Sequence, residues 1–415
     1  MLNPLTPIRK PLLWVFLLSV TLFELLTYMA SDMVMPAMLS VVDELDADAI
    51  QVPQSFYLYL LGGIVLQWLI GPLSDHFGRR PLLLTGCALF TLACVAMLQV
   101  TNIQLFQGLR VVQGMALGFV VAVSYPALQE LFCEADAVRL MAWLGNLALL
   151  SPLLGPLLGS LLLEWLSWRE LFGLLAAVGA LTWLGLFCSM PETLAAPPGP
   201  KPNLNLWRIV RRYIALAGNY RFVLASVALG LMGLPLVAWI GQAPLLLIED
   251  QGMTPVEYGL AQVPVFTAVI LGNLLLGKLV GRISLPALLQ CGLWPLAGGL
   301  GLLLLSSSFN PPLGVVLIGL SLYGVGLGMS HATLYRLALD ASDDSKGLVS
   351  AMIGMLSIGV MGAGGSLLNV LDAGLSLGAF ALIASLAGLI YLLPVWGFLR
   401  TSPIAAADLI QREFP

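Results

Sequence analysis

Glu24 and Asp32 stand eight residues apart inside one apolar run, Leu12 to Met35. Arg110 stands inside another, between Leu109, Val111 and Val112 and the stretch Met115 to Val123. An ionisable side chain in hydrocarbon costs roughly 2.5–3.5 kcal/mol even on insertion scales, so such groups normally line a polar cavity. Two acids and one base in that setting can take up and release a proton. Burial penalises a carboxylate and a nearby guanidinium favours it, and these opposed effects make a carboxyl tunable. At 100° per residue Glu24, Thr27, Tyr28, Ser31, Asp32 and Met35 share one helix face,. The two acids are then about 12 Å apart along the axis at 1.5 Å per residue. Gln107, Arg110, Gln113, Gly114, Gly118, Val121 and Tyr125 share a face of the second run, small or polar in an otherwise apolar helix, and are expected to look onto the same cavity,.

The elements that must position these groups are membrane spans. The 415 residues are 59% hydrophobic and 10% charged, with a mean hydropathy of +0.96. A soluble chain carries about 25% charged residues, and a span needs about 20 apolar residues. Twelve spans are predicted, over 12–35, 52–73, 80–100, 103–128, 138–163, 167–190, 221–248, 256–280, 285–306, 312–336, 346–370 and 375–399. Continuous apolar runs exclude a β-barrel, whose strands alternate. The first run is too long for a signal-peptide core and lacks a small-residue cleavage site, so it is read as the first span. The five cysteines, Cys87, Cys94, Cys133, Cys188 and Cys291, form no CxxC pair and read as small packing residues,. No metal site or cofactor signature is found, and HExxH and P-loop patterns are absent,.

Sixteen of the eighteen Lys and Arg residues fall on one side of this topology, the exceptions being Arg110 and Arg169. The opposite side carries Asp43, Glu44, Asp46, Asp48, Glu249, Asp250 and Glu257. That bias assigns both termini to the cytoplasm and supports an even number of spans. Segment 191–220 breaks the pattern with Pro197, Pro198, Gly199, Pro200 and Pro202, then the basic stretch Trp207 to Arg212. It reads as a linker, its second part either a short basic helix at the membrane surface or simply inside-positive sequence. The expected organisation is a six-helix bundle over 1–190, a cytoplasmic linker over 191–220 and a second bundle over 221–415. GPLSDHFGRRPLLL at 71–84 and GKLVGRISLPALL at 277–289 form a faint repeat 206 residues apart.

Gly71, Asp75, Gly78, Arg79 and Arg80 stand in GPLSDHFGRRP, which resembles the loop signature GxLaDrxGrkp of the major facilitator superfamily. Glycines suit a tight turn, and Asp75 can cap a helix and pair with an arginine, which makes a conformational latch. Leu109-Arg110-Val-Val-Gln113-Gly114 resembles the fourth-helix motif LRxxQGxgaa of the same superfamily. Gly155, Pro156 and Gly159 resemble the core of the antiporter motif gxxxGPxxGG, with Ser160 where its last glycine would be. The first span, Phe23-Glu24-Leu-Leu-Thr27-Tyr28-Met-Ala-Ser31-Asp32, resembles that of MdfA-type multidrug/proton antiporters, in which Asn is frequent at the position of Ser31. Met190-Pro-Glu-Thr193, Ala238-Trp239 and Gly259-Leu-Ala-Gln262 extend the likeness.

The resemblance implies an all-α fold of two pseudo-symmetric six-helix bundles with substrate bound between them near mid-bilayer. It implies an alternating-access antiporter that exports lipophilic drugs against protons across the bacterial inner membrane, as a monomer, with no nucleic-acid partner and no enzymatic step. Proton coupling is expected at Glu24, Asp32 and Arg110. Substrate contacts are expected at Tyr28, Ser31, Asp32, Met35, Tyr125, Asn146, Leu236, Trp239, Gln262, Phe266 and Met355, because aromatic and methionine walls repack around varied apolar bodies. Gln242 and Asn273 are further polar candidates, and His331 is read as structural. The alternative is a narrow sugar or amino-acid transporter of the same fold, since fold alone does not set the cargo.

Overall fold

The computed structural model describes residues 9–194, 205–283, 285–309, 311–371 and 376–395. The cluster Pro197 to Pro202, with Lys201, and the terminal Arg400 and Arg412 lie outside the described residues. Among the described residues the α-helices run α1 Lys10–Asp32, α2 Met38–Glu44, α3 Gln51–Val65, α4 Gln67–Phe77, α5 Arg79–Met97, α6 Ile103–Phe119, α7 Tyr125–Leu131, α8 Glu134–Leu162, α9 Trp168–Ser189, α10 Leu206–Ala217, α11 Tyr220–Ala243, α12 Pro255–Leu279, α13 Leu285–Ser306, α14 Leu313–Leu339, α15 Lys346–Leu371 and α16 Leu377–Ile390. Ten stretches are long and apolar enough to cross a membrane. Two bent pairs, Gln51–Val65 with Gln67–Phe77 at 41° and Glu134–Ala148 with Leu150–Leu162 at 46°, raise the number to twelve. They fall where the second and fifth spans are predicted. In α8 the bend has a local cause, because Pro152 has no N–H for the carbonyl of Ala148 and its ring crowds that turn,.

The first span is also broken. α1 ends at Asp32, and a 3-10 turn, Met35–Ala37, leads into α2. Pro36 is the reason: it cannot donate to the carbonyl of Asp32, four residues earlier. Met35 therefore lies beyond the helical face on which the sequence places it, and it is wholly buried. A π-helical turn, Val120–Ser124, interrupts the fourth span in the same way. The extra residue shifts the register, and Val121 is exposed while Gln107, Arg110, Gln113, Gly114 and Gly118 are buried.

The chain divides into two compact units, Met1–Asn205 with Ile240–Val263, and Leu206–Trp239 with Pro264–Pro415. In the first unit the polar face of α6 is filled by neighbouring helices rather than left facing a cavity. A Cβ at Gly114 would strike the carbonyl of Tyr59, and one at Gly62 would strike that of Val111, so only glycine lets α3 and α6 approach this closely,. Helix ends are capped as their sequences allow. Asn102 accepts from the amide of Leu105 at 2.8 Å, and Ser167 forms a reciprocal capping box with Glu170,. Phe106 meets Trp168 and Phe172 edge-on at 5.9 Å,. Arg169 lies 4.0 Å over the Trp168 ring and pairs with Glu44.

In the second unit the Tyr323 hydroxyl donates to the carbonyl of Met232, and Trp239 packs on Phe380 with ring centres 5.5 Å apart. α10 falls in the predicted linker. Arg212 reaches Asp344 at 3.3 Å, and the Asn219 amide donates to the carbonyl of Ala341 at 2.9 Å. Of the five free cysteines, Cys87 and Cys94 are buried, whereas Cys133, Cys188 and Cys291 are exposed and do not serve as core packing.

Two glycines of the first unit separate close packing from mere helix content. A Cβ at Gly114 meets backbone, while one at Gly71 meets nothing within 4 Å. Overpacking costs about 1–3 kcal/mol. Gly114→Val is expected to lower the melting temperature of the purified protein by several degrees, and Gly71→Ala to leave it unchanged. Thermal unfolding followed by size-exclusion fluorescence measures both.

Candidate functional site

Arg110 is fully buried on α6. Its Nη1 donates to the carbonyl of Ala30 and to Gln113 Oε1, each at 3.1 Å. Its Nε donates to Ser55 Oγ at 3.1 Å and its Nη2 to the carbonyl of Ser31 at 3.4 Å. The guanidinium also lies 4.6 Å from the centre of the Tyr59 ring,. All four acceptors are neutral, and among the described residues no ion pair involves Arg110. Ala30 and Ser31 belong to the last turn of α1, whose carbonyls have no partner inside the helix,. Arg110 caps the helix that Pro36 breaks, and the Tyr59 hydroxyl holds the carbonyl of Thr27 one turn earlier.

The two acids of α1 are held differently from the base. Glu24 has no exposed surface; its Oε1 accepts from the Tyr125 hydroxyl at 2.9 Å, and its Oε2 has no hydrogen-bond partner. Asp32 is 4% exposed, and its Oδ2 accepts from Ser151 Oγ at 3.0 Å. Each carboxyl thus has a neutral hydroxyl as its side-chain donor. Asp32 is further set by the glycines of α8. A Cβ at Gly155 would come within 2.7 Å of Asp32 Cβ, and one at Gly159 would strike the carbonyl of Met33. The antiporter-like motif is therefore a seat for the broken end of α1. The carbonyl of Pro156 accepts from Ser160 Oγ at 2.7 Å, a side-chain back-bond across one turn of α8,.

The structure brings Glu24 to Tyr125, Asp32 to Ser151, and Arg110 to the backbone beside Asp32. Tyr28 is half-buried on the face of α1 that carries Glu24, and Ser31 Oγ is spent on the carbonyl of Tyr28 at 2.7 Å. Gln262 and Gln242, both in the first unit, are buried, whereas Asn146 is exposed on α8. In the second unit Leu236, Trp239 and Phe266 are buried, and Met355 and Asn273 are half-buried. His331 lies on α14. Sequence reasoning missed Ser55, Tyr59 and Ser151. Only Ser151 left a signal, standing four residues before Gly155 on the same helix face.

The signature at 71–81 forms a second polar cluster. Gly78 takes φ +108°, a conformation that side chains disfavour,. Glu192 fills the space beside it, accepting from the amides of Arg79 at 2.8 Å and Arg80 at 3.3 Å. This caps the start of α5. Arg79 is 7% exposed and pairs with Asp75 at 2.6 Å and with Glu130 of α7 at 2.9 Å,. Thr193 donates to Glu130 at 2.6 Å, and Arg80 donates to the carbonyl of Phe187 at 2.7 Å. The cluster ties α4 and α5 to the ends of α7 and α9. A Cβ at Gly71 would meet open space, and its carbonyl accepts at 2.8 Å from Ser74 Oγ, which in turn accepts from Arg79. Glu130 and Glu192, the two partners that complete the cluster, were not assigned from sequence.

Ten to twelve apolar stretches long enough to cross a membrane among the described residues, with buried ionisable groups inside them, are the architecture of a polytopic membrane transporter. The chain belongs to the Major Facilitator Superfamily, whose pattern it matches over residues 20–367. It is 42% identical over 401 residues to the multidrug transporter MdfA of Yersinia pestis bv. Antiqua (strain Angola), covering 96% of this chain and 97% of that one. It is 43% identical over 344 residues to the multidrug transporter MdfA of Shigella boydii serotype 4 (strain Sb227), covering 83% of each. Among solved structures, a D-xylose–proton symporter superposes with a TM-score of 0.73 at 16% identity over 91% of this chain and 97% of that one. At that identity the likeness bears on the fold alone.

Arg110 is the group whose replacement discriminates most sharply. A lysine keeps the charge but cannot span Ser55, Gln113 and two carbonyls at once. Hydrogen bonds to charged groups contribute about 1.5–3 kcal/mol each. Arg110→Lys is expected to destabilise the protein by about 3 kcal/mol or more, read as a fall in melting temperature. An unchanged melting temperature would mean that the guanidinium does not hold α1.

Proposed function

We propose that this protein is a multidrug/proton antiporter, exporting lipophilic cationic and neutral compounds by alternating access. The observation that carries the proposal is the state of the two acids on α1. Both are buried, and each is held by a neutral hydroxyl rather than by a cation. A carboxyl so held can bind or lose a proton without leaving a permanent charge unpaired. Arg110 stands behind Asp32 with four of its hydrogen bonds on neutral acceptors, so it supplies a positive field without locking the acid in an ion pair,. The 42% likeness to multidrug transporters over nearly the whole chain supports the same reading.

In the proposed cycle Asp32, with Glu24 as a second site, loses a proton when substrate binds from the cytoplasm. The loaded transporter opens outward, and protonation then displaces the substrate. Substrate and proton need not touch, because each need only disfavour the other's bound state, and such coupling is reciprocal. Tyr28, Ser31, Met35, Tyr125, Asn146, Leu236, Trp239, Gln262, Phe266 and Met355 are the proposed substrate contacts. Asp75, Gly78, Arg79 and Arg80, with Gly71, form the proposed latch, to which we add Glu130 and Glu192.

The proposal includes six-helix halves over 1–190 and 221–415 joined by the cytoplasmic linker 191–220, both termini in the cytoplasm, residence in the bacterial inner membrane, and action as a monomer. We assign no enzymatic reaction and no cofactor.

Inverted membrane vesicles with an acidified lumen test the function. Adding ethidium, a tetraphenylphosphonium-type cation and a neutral antibiotic separately is expected to release lumenal protons in each case, read by a pH-sensitive dye. Asp32→Asn is expected to reduce the initial rate at least about tenfold, a barrier of about 1.4 kcal/mol, while the protein still inserts. Full release by Asp32→Asn would remove Asp32 from the coupling. Response to a single metabolite and to none of the three compounds would favour the narrow carrier.

A further inference from the structure

Only one side of the linker helix α10, Leu206–Ala217, is covered by protein. Leu216 is 2% exposed, whereas Trp207 and Ile214 are 70% and 62% exposed. Trp207 and Ile214 stand seven residues apart and share a face, and Leu216, nine residues after Trp207, lies on the opposite one. Arg211 falls between Trp207 and Ile214 at one-turn spacing from each. Arg208 and Arg211 are both exposed, and no acid stands between Leu206 and Tyr220. An open Trp-Ile face bordered by arginines suits the level of a membrane where apolar chains meet anionic headgroups.

The helix is pinned at that level within the second unit. Arg212 Nη2 donates to Asp344 Oδ1 and to Ser345 Oγ, each at 3.3 Å, and Asn219 Nδ2 donates to the carbonyl of Ala341 at 2.9 Å. Ala341, Asp344 and Ser345 belong to the short connection between two spans, Leu313–Leu339 and Lys346–Val370. Both contacts therefore lie within two residues of the end of a span. Only Gly218 and Asn219 separate α10 from a third span, Tyr220–Asp250, and Asn219 Oδ1 caps its start by accepting from the amide of Phe222 at 3.2 Å. Two residues reach at most about 7 Å. The acids of the connection are engaged by its own bases: Asp344 by Arg212, and Asp340 by Arg336 at 3.0 Å and Lys346 at 3.2 Å, while Asp343 is exposed. Among the described residues no ion pair involves Arg211.

We propose that α10 is a binding surface for anionic phospholipid: Trp207 and Ile214 enter the boundary between headgroups and acyl chains, and Arg208 and Arg211 take the lipid phosphates. This rests on the placement of segment 191–220 at the cytoplasmic surface, where anionic lipids set a negative potential. Arginine matches a phosphate with two parallel donors, and tryptophan favours the interface because its ring is apolar at one end and polar at the other. Arg212 is committed to Asp344 and serves instead to hold the helix in place. A free phosphate would satisfy the arginines but leave Trp207 and Ile214 in water, so the surface as a whole fits a lipid.

The test uses the full chain in phosphatidylcholine vesicles containing a trace of phosphatidylglycerol with a photoreactive diazirine on its headgroup. Label is expected on the peptide Leu206–Ala217, and unlabelled phosphatidylglycerol is expected to compete it away while extra phosphatidylcholine and inorganic phosphate do not. A basic residue near an anionic surface contributes about 1 kcal/mol. Arg211→Gln is therefore expected to weaken labelling about fivefold, and Arg208→Gln with Arg211→Gln about thirtyfold. Trp207→Ser with Ile214→Ser is expected to weaken it with both arginines retained. In the unaltered protein, raising salt from about 0.1 M to about 1 M shortens the screening length from about 10 Å to 3 Å and is expected to weaken labelling, a readout independent of how any variant folds. Competition by phosphatidylcholine as strong as that by phosphatidylglycerol would mean that lipid only coats the helix, and the proposal would fall. Competition by inorganic phosphate would overturn it in favour of a simple anion site. A peptide without label would assign the open face to a protein partner and overturn it too. Proton release by the three compounds without lipid selectivity at α10 would remove the lipid surface and leave the antiporter standing. Lipid selectivity without proton release would do the reverse.

Discussion

A guanidinium carried into a membrane span must find partners for its donors inside the protein, because hydrocarbon offers none. In this chain that constraint is met by the end of another helix. Pro36 breaks α1 at Asp32 and leaves the carbonyls of its last turn without partners. Arg110 takes two of those carbonyls, with Ser55 and Gln113 as two further acceptors. Removing the proline would let α1 run on, and removing the arginine would leave a buried helix end open. The position of Asp32 follows from both, because it is the residue at which the helix stops.

The rest of the first unit supports that arrangement. Gly62 and Gly114 bring α3 and α6 close enough for Ser55 and Tyr59 to reach the guanidinium. Gly155 and Gly159 bring α8 onto Asp32 and Met33, and Ser151 then falls within hydrogen-bond reach of the acid. Small residues at each crossing are what close packing between membrane helices requires, since lipid supplies no hydrophobic drive. The cluster around Arg79 performs a related task at the helix ends. It gathers the starts and ends of α4, α5, α7 and α9 around one nearly buried cation, with Glu192 capping α5 through backbone amides.

Much of this was legible in the chain. Hydropathy located the spans because apolar length is a local property, and Glu24, Asp32 and Arg110 stood out because a charge in such a run is costly. The Gly155-Pro156-Gly159 spacing marked a close contact, though not which residue it touched. What stayed hidden depends on separation along the chain or on a change of register. Glu130 lies 51 residues from Arg79 and Glu192 lies 113 away, and nothing local ties either to it. The π-helical turn at Val120–Ser124 has no clear local sign, and it turned Val121 away from the face that a regular helix predicts. The break at Pro36 was readable from the proline alone, yet continuous hydrophobicity through Met35 masked it.

These features describe one device: a rigidly held base, a helix end fixed beside it, and two acids on that helix held by neutral hydroxyls. Its central claim is that proton and lipophilic cation disfavour each other's binding through α1. The most direct test is the equilibrium affinity of the purified protein for tetraphenylphosphonium as a function of pH. Reciprocal coupling requires affinity to rise as protons become scarce. The account predicts tightening by up to about tenfold per pH unit for each coupled proton across the titration range, and a flatter profile in Asp32→Asn. An affinity independent of pH in the unaltered protein would contradict it.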